Sequence, residues 1–120
     1  MKIAVIGGGS WGTALSKIFA EKGHQVSILV RRKEVALAIN QKRTNPFYLP
    51  EITLPSNLKA SLYPEEVFLN AEVVVWAIPS FALKEVLNQI KDFVEKVDFH
   101  ISCIKGIDFQ SKKTPLTILK

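Results

Sequence analysis

The sequence predicts an α/β domain, doubly wound, with a mainly parallel sheet covered by helices on both faces. Three observations predict it. Apolar runs rich in β-branched residues recur without polar alternation, stretches of helical periodicity separate them, and the glycine turn Gly7–Gly12 closes the first run. Apolar runs of this kind suit strands buried on both faces. Strands that alternate with helices imply right-handed crossovers and a parallel sheet.

The elements follow in order. Lys2–Ile6 is a short strand stopped by glycines. Ser10–Lys22 carries Ala14, Leu15, Ile18 and Phe19 at helical spacing, and Gly23 stands where a helix C-cap is expected. Gln25–Val30 is a second buried strand. Lys33–Arg43 is predicted helical throughout, with Val35, Leu37, Ala38 and Ile39 facing inward. Pro46, Pro50 and Pro55 forbid a helix from Thr44 to Ser56. Leu58–Leu62 is a short strand. Pro64–Asn70 opens with proline and two glutamates, which suit a helix N-terminus. Ala71–Ile78 is the strongest strand signal, closed by Pro79. Ser80–Val97 is a long amphipathic helix with Leu83, Val86, Leu87, Ile90 and Val94 along one stripe. Phe99–Ile104 is a fifth strand.

The turn itself carries the chemistry. Gly7-Gly8-Gly9-Ser10-Trp11-Gly12 fits G-x-G-x-x-G, a weak signal alone. Its position between a strand and a helix is what the dinucleotide-binding, Rossmann-type fingerprint requires. Gly7 permits the tight turn, Gly9 lets the backbone approach a pyrophosphate, and Gly12 lets the helix pack closely on the sheet. The helix N-terminus adds N–H groups and partial positive charge. A glycine-rich turn that only reverses the chain, with Ser10 as N-cap and Trp11 as packing, is the competing reading. A P-loop is excluded because no Gly-Lys-Ser/Thr follows.

The cofactor implied is NADP or NAD. An acidic residue at the end of the second strand usually holds the free ribose hydroxyl of NAD. Here that place has Arg31 and Arg32, whose guanidinium groups suit the 2′-phosphate of NADP. Glu34 argues mildly against exclusive NADP use. Tighter binding of NADPH than of NADH is the expectation.

Composition narrows the partners. The 120 residues are read as one NAD(P)-binding domain, 1–120, ending soon after the fifth strand. The net charge of +5 permits phosphate-bearing ligands, but the basic residues are scattered and no nucleic-acid motif accompanies them. No nucleic-acid partner is expected. A single cysteine, Cys103, allows no internal disulfide and no thiolate cluster, so no metal is expected. No apolar run has membrane-spanning length, and no secretory leader is evident. A cytoplasmic enzyme without membrane contact is the expectation.

Five segments in register from Met1 to about Asp108 then resemble one family. They are Gly7 to Leu15 (GGGSWGTAL), Asn45 to Pro50 (NPFYLP), Leu54 to Asn57 (LPSN), Ala77 to Ser80 (AIPS), and Lys105 to Asp108 (KGID). Together they look like the nucleotide-binding domain of bacterial NAD(P)-dependent glycerol-3-phosphate dehydrogenase. The resemblance implies interconversion of dihydroxyacetone phosphate and sn-glycerol 3-phosphate by hydride transfer, serving phospholipid synthesis. It implies cofactor contacts at Gly7, Gly8, Gly9, Ser10, Trp11, Gly12, Arg31, Arg32 and Lys105. Lys105 is implied to contact the substrate too, and it falls just past the fifth strand, at the edge where such sheets bind ligands. The resemblance also implies a homodimeric full-length enzyme whose helical domain supplies the main catalytic lysine, so no catalytic residue is assigned in this chain. Two positions depart from the pattern: Glu51 where glycine is frequent, and Asp108 where glutamate is usual. A non-catalytic NAD(P)-binding module, or the cofactor domain of another reductase such as a hydroxyacyl-CoA or sugar-nucleotide dehydrogenase, are the alternatives. The Tyr48-Leu49-Pro50 and Lys105-Gly106 segments disfavour the latter. No chemistry is read from the loop that follows Asn45 beyond a rigid, packed flap.

Overall fold

The computed structural model describes residues 1–48 and 50–102. Its strands are β1 (Lys2–Ile6), β2 (Gln25–Leu29), β3 (Leu58–Ser61), β4 (Val73–Trp76) and β5 (Phe99–Ser102). Its α-helices are α1 (Ser10–Glu21), α2 (Lys33–Leu37), α3 (Pro64–Val67) and α4 (Leu83–Val94). The sheet order is β3-β2-β1-β4-β5, and each neighbouring pair is parallel. This is the doubly wound arrangement expected, with the reversal of strand order beside β1. In register, Ile6 lies opposite both Leu29 and Trp76, so β1, β2 and β4 end together. That shared edge is where ligands bind in open α/β sheets.

Alternate residues of the strands feed two cores. Ile3, Val5, Val26, Ile28, Val73 and Val75 pack on one face with Ala20, Val35 and Ile39. Ala4, Ile6, Val74 and Trp76 pack on the other with Val67 and the α4 residues Leu83, Val86, Ile90 and Val94. The α4 stripe is therefore the one the sequence predicts, with Leu87 partly buried beside it.

Helix α1 differs in the face it buries. Gly12, Thr13, Ser16 and Ala20 are its buried residues, whereas Ile18 is exposed and Leu15 and Phe19 are only partly buried. The helix lies so close to β1 that small side chains must occupy the contact, and larger ones flank it. Ser16 is satisfied there by donating to the carbonyl of Gly12 at 2.7 Å. The C-terminus follows the prediction: Gly23 adopts φ +96, its N–H donates to Ala20, and His24 N–H donates to Phe19. This is a Schellman cap.

Three predicted elements change at their ends. The helix expected over Lys33–Arg43 is α-helical only to Leu37 and continues as a π-helical turn, Ala38–Lys42. The wider turn accompanies an amide pairing: Asn40 Nδ2 donates to the Ala60 carbonyl at 2.7 Å, and Ala60 N–H donates to Asn40 Oδ1 at 2.8 Å. Asn40 thus completes the outer edge of β3 as a neighbouring strand would, and Leu37 is turned to solvent. Arg43, at φ 56, ends the turn. Helix α3 stops at Val67 because Asn70 takes a left-handed conformation at φ 61 and the chain enters β4. The first turn after Pro79 is 3₁₀ rather than α, Ser80–Ala82, closed by Ala82 N–H donating to Pro79. β1 has the predicted bounds, β2 and β3 are one residue shorter than predicted and β4 is shorter by two at each end, and Cys103 and Ile104 of the predicted fifth strand lie outside the described residues.

Candidate cofactor-binding site

The turn after β1 is built by steric necessity. Gly7 has φ +120, and a Cβ there would lie 2.4 Å from the Ala77 carbonyl oxygen, just beyond β4. A Cβ on Gly12 would lie 1.9 Å from the Gly7 carbonyl oxygen. These two glycines let α1 start almost in contact with the strand it follows. A Cβ on Gly8 would meet the Val30 side chain at 2.5 Å, so its Cα faces the protein interior.

Gly9 is the contrast. A Cβ there meets nothing within 4 Å. Gly9 is also the N-cap of α1 and provides no side-chain hydrogen bond to the helix. Open space therefore lies beside Gly9 at the N-terminus of a twelve-residue helix, at the sheet edge where strand order reverses. Helix N-termini leave their first N–H groups without intrahelical partners and attract anions. Open space and the partial positive charge of the helix start are features that suit a pyrophosphate.

The loop after α2 is fastened onto the same turn. Asn45 is fully buried, and its Nδ2 donates to the Gly8 carbonyl at 3.0 Å and to Thr13 Oγ1 at 2.9 Å. Ser10 Oγ donates to the Tyr48 carbonyl at 3.2 Å. The Asn45 Oδ1 atom is buried without a partner among the described residues. At the other end of the loop, Arg43 donates to the carbonyls of Leu54 and Leu58, and burial lowers its pKa from the ordinary guanidinium value. The loop expected to be a packed flap is thus pinned at both ends, but its described residues from Pro46 to Thr53 are exposed rather than packed. Asn45, Thr13 and Phe47 are site-forming residues that sequence reasoning missed, because their partners are distant in the chain.

Arg31 and Arg32 stand at the end of β2, both exposed. Arg32 Nε donates to Glu34 Oε2 at 3.1 Å, and its Cζ lies 4.3 Å from the centroid of the Phe47 ring. The structure therefore gathers the glycine turn, Ser10, Trp11 and the two arginines along one edge of the sheet. Trp11 is half exposed at the first turn of α1. Lys105 lies outside the described residues, as does the rest of the Lys105–Asp108 segment. Among the described residues, no group of three His, Cys, Asp or Glu side chains is placed to hold a metal ion.

Comparison with known proteins decides the family. Residues 2–120 match the family described as NAD-dependent glycerol-3-phosphate dehydrogenase N-terminus. The chain belongs to this family. The glycerol-3-phosphate dehydrogenase [NAD(P)+] of Halalkalibacterium halodurans is 39% identical over 106 residues, covering 88% of this chain and 30% of that relative. That of Clostridium acetobutylicum is 41% identical over 118 residues, covering 98% and 36%. Among solved structures, the Saccharomyces cerevisiae glycerol-3-phosphate dehydrogenase superposes with a TM-score of 0.80 at 34% identity, over 90% of this chain and 34% of the other. The Coxiella burnetii enzyme gives 0.84 at 26% identity, over 98% and 36%. The chain thus spans about a third of the length of the glycerol-3-phosphate dehydrogenases it matches. Family members bind NAD or NADP, and the family's nucleotide-binding fold is the one found here.

Proposed function

We propose that residues 1–120 form one NAD(P)-binding domain of a glycerol-3-phosphate dehydrogenase that interconverts dihydroxyacetone phosphate and sn-glycerol 3-phosphate. The observation that carries the cofactor site is the contrast within one turn. Gly7 and Gly12 are closed against the protein, while Gly9 opens onto free space at the start of α1. Only the open position has a use for a missing Cβ outside the protein. Bound nicotinamide supplies the hydride that passes between its C4 and C2 of the substrate.

The chain's own residues position the cofactor. Backbone N–H groups of the Gly7–Gly12 turn, with Ser10 and Trp11, hold the pyrophosphate. Arg31 and Arg32 take the adenosine ribose end, where two cations favour a 2′-phosphate and hence NADPH over NADH. Lys105, which the family resemblance assigns to the cofactor and substrate, has an ammonium that would stabilise negative charge on the substrate's ketone oxygen. The main catalytic lysine belongs to a helical domain outside this chain, so the 120 residues alone are expected to bind cofactor without turning over substrate. The full-length enzyme is read as a homodimer that acts in the cytoplasm and supplies glycerol phosphate for phospholipid synthesis. No helix among the described residues is long and apolar enough to cross a membrane.

The test is a pair of assays. NADPH-dependent reduction of dihydroxyacetone phosphate should appear when this domain is joined to a helical domain of the family, and should be absent for the 120-residue chain. Robust turnover by the short chain alone, or none by the joined protein although it binds NADPH, contradicts the assignment.

A further inference from the structure

We infer that Phe47 and Glu34 are specificity-determining residues: they hold the Arg32 guanidinium between them and so set how strongly it takes the 2′-phosphate that separates NADPH from NADH. The inference rests on the proposed reading of the Arg31–Arg32 strand end as the seat of the adenosine ribose.

A guanidinium offers two flat faces and five donors in a fixed plane. In Arg32 one face is covered, with Cζ 4.3 Å from the Phe47 centroid, and the Nε edge is taken by Glu34 at 3.1 Å. Among the described residues, no hydrogen bond takes the terminal nitrogens and no second ring covers the other face. The side chain stays half exposed, at 50%, so a ligand can reach both. An arginine at a strand end otherwise samples many rotamers, and ordering it beforehand removes that cost from binding.

Phe47 is itself fixed relative to the glycine turn. Two residues before it, Asn45 is tied to Gly8 and Thr13; one residue after it, the Tyr48 carbonyl accepts from Ser10. The segment from Asn45 to Tyr48 therefore sets the spacing between the turn that would hold the pyrophosphate and the arginine that would hold the 2′-phosphate. Glu34 acts in the opposite sense. Its carboxylate steadies Arg32 but places negative charge beside a dianionic ligand group, while a ribose hydroxyl can donate to it. Phe47 thus favours NADPH and Glu34 moderates the preference. Exposed ion pairs and cation–π contacts each have modest strength, so severalfold effects are expected rather than a complete switch.

The experiment measures NADPH and NADH dissociation constants calorimetrically for the 120-residue chain and for Phe47→Leu, Phe47→Tyr and Glu34→Gln. Phe47→Leu should lower the NADPH-to-NADH affinity ratio about threefold, and Phe47→Tyr, which keeps the ring, should preserve it. Glu34→Gln should raise the ratio about threefold. Ratios unchanged in both Phe47→Leu and Glu34→Gln overturn the inference while leaving the cofactor reading intact. Glu34 is exposed, so its variant decides the matter should Phe47→Leu fail to fold. A parent chain that binds neither cofactor, or binds NADH more tightly, overturns the ribose-end reading and this inference with it.

Discussion

Replacing Gly12 by alanine sets two opposing effects against each other at one methyl group. In a helix, alanine is favoured over glycine by about 1 kcal/mol, so propensity alone predicts a more stable protein. The structure predicts the reverse. The new Cβ would sit 1.9 Å from the Gly7 carbonyl oxygen and 2.9 Å from its carbon. Relief needs α1 to withdraw from β1 by about 1.6 Å, given ordinary contact distances near 3.5 Å. No flexible side chain can yield, because the obstructing atoms are backbone. Overpacking costs typically ~1–3 kcal/mol, and a backbone clash belongs at or above the upper end. The net loss, after the propensity gain, is about 2 kcal/mol or more. With a urea dependence of roughly 1–3 kcal/mol per molar, the unfolding midpoint should fall by about 1 M. Equilibrium urea denaturation followed by far-UV circular dichroism measures it. A midpoint equal to or above that of the parent would refute the close-approach argument for α1.

The other predictions concern buried polar groups and the lysine beyond β5. Asn45→Ala should cost about 1–3 kcal/mol in urea denaturation, because the Gly8 carbonyl and Thr13 lose a buried donor. An unchanged midpoint would show that the loop is not held there. His100→Leu should destabilise by about 1–3 kcal/mol, since Trp76 is fully buried and its indole N–H donates to His100 Nδ1 at 3.2 Å; a neutral or stabilising result would count against that bond. Lys105→Met, in a protein carrying the helical domain, should reduce dihydroxyacetone phosphate turnover at least tenfold, and steady-state rates within twofold of the parent would remove the role proposed for the lysine.

Legibility in the sequence followed the range of the forces involved. Lys2–Ile6 and Val73–Trp76 are strands whose burial on both faces shows in their apolar runs, whereas Gln25–Leu29, interrupted by Gln25 and Ser27, buries Val26 and Ile28 fully and Ser27 and Leu29 only in part. The α4 stripe was equally plain, because its core contacts recur at helical spacing. The buried face of α1 was not. Ile18 looks like a core residue, yet the proximity forced by Gly12 gives the contact to Thr13, Ser16 and Ala20. The π-helical turn was hidden for a similar reason, since the partner of Asn40 is Ala60, twenty residues away.

At the candidate site, the placement of the glycine turn at the start of α1 and of the arginine pair after β2 was legible, because both follow from the strand and helix bounds. The fastening of the Asn45–Tyr48 segment was not, since one buried amide bonds to atoms thirty-two and thirty-seven residues earlier. The Phe47–Arg32 contact depends on that fastening, so no local pattern announces it. Gly8 is a further case: the fingerprint allows any residue at its position, but here the Val30 side chain leaves no room for a Cβ.

Gly9→Ala decides whether the open space beside Gly9 receives the cofactor's pyrophosphate. Gly9 has φ −77 and ψ −169, which alanine adopts without strain, so folding stability should be equal or higher by about 0.4–1 kcal/mol. Calorimetric titration with NADPH should show binding by the parent chain and at least a tenfold weaker affinity for the variant. A folded Gly9→Ala protein that binds NADPH as tightly as the parent would contradict the claim.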